Sequence, residues 1–171
     1  MSKQSFRQAG PCHASKATIE TFAADFARKV GYRAGGELEP VVGQLGGKII
    51  YQTFADLSRS LDASIRIFGD RNFEIYLPDY TSAERDRFSI AHEIGHYILH
   101  YPLASEPMIA RRFGSTRVEW EANWFAAGFL MPEAAFRKQF ARHPGNIAGV
   151  ARHFRVSTAA ATARAKALGL L

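Results

Sequence analysis

The sequence predicts an α+β domain carrying a small sheet, followed by a small C-terminal helical module, and three observations lead there. Two alternating stretches, Ser64 to Phe68 and Phe73 to Leu77, flank Gly69-Asp70-Arg71-Asn72 and read as a β-hairpin. Elsewhere apolar residues recur every three or four positions, the spacing of helices with one buried face. Beyond Ala134 the chain holds seven basic residues and no acid, and its Ala-rich run from Ala159 to Ala167 favours helix. The expected division is residues 1–135 for the α+β domain and 136–171 for the basic helical module.

The elements follow in order. Ile19, Phe22, Ala23, Phe26, Ala27 and Val30 mark a helix that stops at Gly31. Pro40 to Leu45 is a short helix ended by Gly46-Gly47, and Lys48 to Thr53 is β-prone. After the hairpin, Phe73 to Leu77 runs into Pro78; Pro is tolerated mainly at strand ends and edges, so this strand is expected at the rim of the sheet. Thr81 and Glu84 form a capping box that opens a long helix with apolar positions Phe88, Ala91, Gly95, Ile98 and Leu99, and Pro102 closes it. Tyr101 to Arg117 reads as irregular, and a further helix runs from Val118 to Leu130 before Pro132. Ile147 to Phe154, Arg155-Val156-Ser157 and Thr158 to Leu168 have the order helix, turn, helix.

Composition narrows the class. With 171 residues, 47% hydrophobic and 22% charged, the chain can bury a real core. Met1 to Arg7 lacks the apolar core of a signal peptide, and no apolar stretch approaches the roughly eighteen residues needed to span a membrane. Cys12 is the single cysteine, which excludes an internal disulfide and a cysteine-built zinc site. A cytoplasmic protein without membrane contact is expected. The net charge of +6 sits in the C-terminal piece, because the first 133 residues carry fifteen bases against sixteen acids. Such a tail suits nucleic acid, an acidic protein surface or plain solvation.

The densest chemistry lies in His92-Glu93-Ile94-Gly95-His96. Residues four apart on a helix stand one above the other, so both imidazoles can reach one metal ion and Glu93 can reach a water beside it. This is the H-E-x-x-H arrangement of zinc metallopeptidases. With six His and ten Glu in 171 residues, chance supplies only about 0.01 such matches, so coincidence is a poor explanation. His92 and His96 are therefore candidate Zn²⁺ ligands and Glu93 the candidate general base.

Zinc on two His needs a further protein ligand and one open position. Glu119 and Glu121 lie on the helix after the irregular stretch, about 200° apart, so only one can face the ion. Glu121 shares the inward side with Phe125 and Gly128, whereas Glu119 suits a solvent-side carboxylate at the helix start. Glu121 is the expected ligand. His100 extends the His92, His96 ladder, but a straight helix turns away by about 80° over eight residues, so a supporting role is expected for it. Donors for a developing oxyanion include Tyr97, His100, Tyr101, Arg111 and Arg112, and the sequence does not choose among them.

The run from Arg85 to His100, together with Glu119-Trp120-Glu121-Ala122-Asn123-Trp124-Phe125-Ala126-Ala127 and Leu130-Met131-Pro132, resembles the ImmA/IrrE family of metallopeptidases. The resemblance covers about residues 17 to 135. It implies a zincin-like, gluzincin-like fold in which Glu121 matches the acidic third ligand. It also implies a substrate class, helix-turn-helix repressors cut to relieve repression in stress responses. Two other readings stand beside it: a zinc-containing transcriptional regulator or sensor, and a component of a toxin–antitoxin pair without proteolytic role. A structural or sensing site has no need of Glu93. Direct DNA binding by the C-terminal module is disfavoured, because Ala fills most of its second helix and few side chains could reach base edges.

Overall fold

The computed structural model describes residues 5–59, 63–111 and 115–171. Strand β1 (Arg7–Gln8) leads to helix α1 (Lys16–Lys29), α2 (Glu39–Gln44), β2 (Gly47–Gln52), α3 (Phe54–Arg59) and the hairpin β3 (Ala63–Gly69) and β4 (Asn72–Pro78). Helix α4 (Ala83–Gly95) passes through a π-helical turn, His96–His100, into α5 (Tyr101–Ala104). Then come β5 (Met108–Arg111), α6 (Arg117–Leu130), α7 (Glu133–Arg142), α8 (Ile147–Phe154) and α9 (Thr158–Ala167). The result is a mixed α+β architecture around one five-stranded sheet in the order β1-β5-β3-β4-β2.

The hairpin is present, but β4 is not at the rim. It lies between β3, antiparallel, and β2, parallel, and β2 and β1 are the edges. Pro78 fits because it is the last residue of the strand, where its missing N–H costs no ladder bond. Strands β1 and β5 fall in stretches without clear alternation and were not expected; β1 pairs in parallel with β5 over two residues only. The long helix starts at Ser82 rather than Thr81: the Ser82 side chain accepts from Arg85 N–H, while Thr81 bonds Asp86 and the Pro78 carbonyl. Pro102 does not end that helix. It occupies the first turn of α5, where a missing N–H is tolerated, and Ser105 closes the element in the left-handed conformation.

One hydrophobic cluster joins Ile19 and Ala23 of α1, Ile65, Phe73 and Ile75 of the sheet, Ile90 and Ile94 of α4, Phe125 and Phe129 of α6, and Phe136, Val150, Phe154 and Ala161 beyond residue 135. The C-terminal helices thus share the core of the residues before them. Buried Arg87 ties them down, donating to the carbonyls of Arg155 and Gly36 and to Tyr32 Oη. Arg155 itself is left-handed at φ 52°, an uncommon state for a side-chain-bearing residue, and its guanidinium is held by Glu37 and the Gly35 carbonyl. Arg164 is buried against Glu20 at 2.8 Å and donates to the Met131 carbonyl. Together with Arg137, which pairs with Glu133, these contacts commit three of the seven C-terminal bases to this chain's own partners. Among the described residues no helix is long and apolar enough to cross a membrane.

Candidate metal centre

The site is built where α4 crosses α6. Gly95 permits that crossing: a Cβ there would stand 3.1 Å from Phe125 Cβ and 3.3 Å from Ala122 Cα, tighter than ordinary contact. A second close approach seats α6 on α1, where a Cβ on Gly128 would meet the Glu20 carbonyl at 2.6 Å. With both neighbours pressed this close, the α6 side chains at positions 119, 121 and 123 reach the histidines of α4 and of the π turn that follows it.

His92 Nε2 and His96 Nε2 stand 3.0 Å apart, and the carboxylate bridging them is that of Glu119, 3.1 Å from His92 Nε2 and 3.4 Å from His96 Nε2. Glu121 points elsewhere. Its Oε2 accepts from Cys12 N–H at 2.8 Å and His100 Nε2 at 3.0 Å, and its Oε1 from His13 N–H at 2.8 Å and Arg117 Nε at 2.9 Å. The expectation that Glu121 lies beside the His pair therefore gives way to Glu119 in this arrangement. Inwardness was read correctly, since Glu121 is fully buried. However, Glu121 faces the N-terminal segment and His100, while Glu119, 12% exposed, is the carboxylate that faces the His92–His96 pair. Glu119 shares its face with Asn123, one turn on, whose Oδ1 lies 2.9 Å from His92 Nδ1. That i, i+4 pair flanking His92 was the sequence signal for the acidic neighbour.

His100 is not carried out of line. Four residues of α-helix overshoot a full turn by about 40°. The π turn, with bonds from i to i+5 and roughly 4.4 residues per turn, falls short by about 33° over the same count. The Tyr101 N–H reaching back to the His96 carbonyl is such a bond. The two drifts nearly cancel, and His92, His96 and His100 follow one another in a row, edge-on and then tilted, with ring centroids 4.7 and 5.1 Å apart. His96 Nδ1 faces His100 Nδ1 at 3.0 Å.

Charge states follow from these contacts. Burial holds His96 down to about 4 against the pull of Glu119, so it is a neutral imidazole near pH 7. Burial also lowers His92, but its bond to Glu119 and the charge of Glu93 outweigh this and leave it raised. Burial pushes Glu119 upward, and the bonds from His92 and His96 overcome it, bringing the carboxyl to about 2. For Glu121, burial is likewise overcome by Arg117, the Cys12 N–H and His100, again to about 2.

Two groups of potential ligands therefore exist: His92, His96 and Glu119, and Cys12, His100 and Glu121. A tetrahedral ion with bonds of about 2.0 to 2.2 Å keeps its ligand atoms about 3.3 to 3.6 Å apart. The first group, with separations of 3.0 to 3.4 Å, is close to that and unites two nitrogen lone pairs with a carboxylate. In the second, four donors already fill the acceptor positions of Glu121, and burial raises the Cys12 thiol, favouring its non-ligating protonated form. The first group fits a metal ion and the second does not.

Glu93 is buried on α4 next to His92, 4% exposed. Tyr97 and His100 are engaged elsewhere. Tyr97 Oη donates to Asp70 and accepts from Arg71 N–H, and its ring stacks on Phe73 at 4.3 Å. Arg112 and the side chain of Arg111 lie outside the described residues.

No curated protein sequence matches this chain. Among solved structures, a Mycobacterium tuberculosis transcriptional regulator is similar at a TM-score of 0.61 and 16% sequence identity, over 86% of this chain and 46% of that one. That likeness is one of fold, and this chain spans less than half the length of the regulator's chain. Residues 53–166, which include the hairpin, α4 with its His-Glu pair, α6 and most of the C-terminal helices, match the family described as IrrE N-terminal-like domain, Peptidase_M78. The match covers well over half of the sequence, and the chain belongs to this peptidase family.

Proposed function

We propose that this chain is a zinc-dependent endopeptidase, with the ion held by His92, His96 and Glu119 and with Glu93 as general base. The observation that carries the reading is the convergence of His92 Nε2, His96 Nε2 and the Glu119 carboxylate beside a buried Glu93. When bound, zinc polarises a carbonyl and draws the pKa of water toward neutrality. Glu93 takes the proton from the water that adds to the scissile carbonyl and delivers it to the amine nitrogen as the C–N bond breaks. The products leave as a carboxylate and an ammonium, the second proton of the water passing from the new carboxyl group to the amine. Asn123 accepts from His92 Nδ1–H, which keeps the Nε2 lone pair aimed at the site. We read the motif helix with its sheet as a zincin-like arrangement, and α8 and α9 as a helical module of helix-turn-helix-like order.

The substrate we propose is a DNA-binding repressor, cut to relieve repression. The sequence resemblance carries that choice, and the fold likeness to a transcriptional regulator is in keeping with it. Two measurements test the reading. Elemental analysis of protein purified without added metal is expected to give one zinc per chain, lost in His96→Ala. New protein N-termini, compared by mass spectrometry in cells producing the wild type or Glu93→Gln, are expected to include a repressor fragment only for the wild type. Equal cleavage by Glu93→Gln would favour a sensor role instead.

A further inference from the structure

We infer that Glu121 and His100 form a proton-fixing relay that selects the metal-binding tautomer of His96, with the N-terminal segment as its outer anchor. The inference rests on the metal site proposed above. Of the four nitrogens facing the Glu121 carboxylate, Cys12 N, His13 N and Arg117 Nε are N–H donors, and the fourth is His100 Nε2. A carboxylate only accepts, so His100 Nε2 must carry its proton. A neutral His100 then has a bare Nδ1, 3.0 Å from His96 Nδ1. Two ring nitrogens at that distance share one proton, and with His100 unable to supply it, His96 Nδ1 must be the donor. The proton on His96 is thereby fixed at Nδ1, and Nε2 is left as a lone pair toward His92 Nε2 and Glu119. The π turn is what makes the relay possible, since it brings the third ring into line.

The anchor is equally specific. Cys12 and His13 present consecutive N–H groups to the two carboxylate oxygens, and His13 does so at φ 60°, a strained state for a non-glycine residue. Arg117 binds the same carboxylate and also the Ala14 carbonyl, closing the segment onto α6. Glu121 and His100 are positioning residues; neither needs to touch substrate.

Glu121→Gln is the sharpest probe. An amide NH₂ would face donors on either side of the carboxamide, and His100 is the one neighbour that can adapt by moving its proton to Nδ1. That reverses the relay and puts the proton of His96 on Nε2, blocking the lone pair. Long-range ¹H–¹⁵N spectra of the metal-free protein read the tautomers directly, without reference to activity. The wild type is expected to show His96 protonated at Nδ1 and His100 at Nε2. Glu121→Gln is expected to reverse both and to weaken zinc binding, measured by chelator competition, about 10- to 100-fold. His100→Phe, which removes the relay without introducing a competing donor, is expected to weaken zinc binding within the same range and serves if Glu121→Gln does not fold. His96 protonated at Nε2 in the wild type, or wild-type zinc affinity in a folded variant, overturns the relay. Zinc retained by His96→Ala overturns the metal site itself, whatever tautomers are found.

Discussion

Glu119 and Glu121 stand two residues apart on one helix, both within reach of histidines, and both are held near a pKa of 2, yet their surroundings are opposite in kind. When the two imidazoles carry their protons on Nδ1, toward Asn123 and His100, Glu119 and the two Nε2 atoms form a cluster of lone pairs. Glu121 meets four proton donors, so its charge is fully used. A cluster of acceptors is held together by a cation that comes from outside. A carboxylate ringed by donors is complete as it stands and serves the fold. The difference lies in what faces the oxygens, and residue type and spacing alone do not reveal it.

The largest expected effect falls on the base. Glu93→Gln keeps nearly the same shape but cannot take a proton, so cleavage of a confirmed substrate should fall by about 10² to 10⁴ while zinc content stays at one per chain. Unchanged turnover would remove Glu93 from the chemistry.

The comparison itself predicts a crossover. Glu119→Ala should strip zinc and destabilise the metal-free protein less than Glu121→Ala does, since it removes only the contacts with His92 and His96. Glu121→Ala should destabilise the metal-free protein by about 3 kcal/mol, because it strands buried donors and the partner of Arg117. Urea unfolding and zinc titration of both variants check this, and the reverse order would undo the distinction between the two carboxylates.

Acid should separate the contributions by pH. His96 is neutral when folded and takes a proton when unfolded, so metal-free protein should lose stability as pH falls from about 6.5 to about 4. The depressed carboxyls stabilise above about 4.5, and that contribution should disappear as pH falls toward about 2. Glu121→Ala should shrink the lower limb and spare the upper one, as thermal melts across that range would show. The smallest effect belongs to Asn123→Ala, which frees His92 Nδ1 and should weaken zinc binding by about tenfold with little change in the melting temperature of the metal-free protein.

Much of the fold was legible because local signals agreed with one another. The hairpin, α1, the motif helix and α6 each combine a clear period with punctuation by Gly, Pro or a capping side chain. Strands β1 and β5 were not legible, since two- and four-residue strands have almost no period to read, and their pairing is set by residues about a hundred positions apart. In the proposed site, the approach of His92 to His96 was legible from helical spacing alone. The choice between Glu119 and Glu121 was not. It depends on the α4–α6 crossing at Gly95 and on backbone N–H groups from Cys12 and His13, which no helical wheel displays. The alignment of His100 also escaped, because a π turn alters the phase of a helix without any distinctive residue to announce it.

The central claim is that the ion belongs to the first group of ligands and not to the second. Anomalous diffraction at the zinc edge, from crystals of protein purified without added metal, locates the ion directly. The account predicts a single peak within about 2.0 to 2.2 Å of His92 Nε2, His96 Nε2 and a Glu119 oxygen, with Glu121 still bonded to His100. A peak coordinated by Glu121, or by Cys12 and His100, would contradict it.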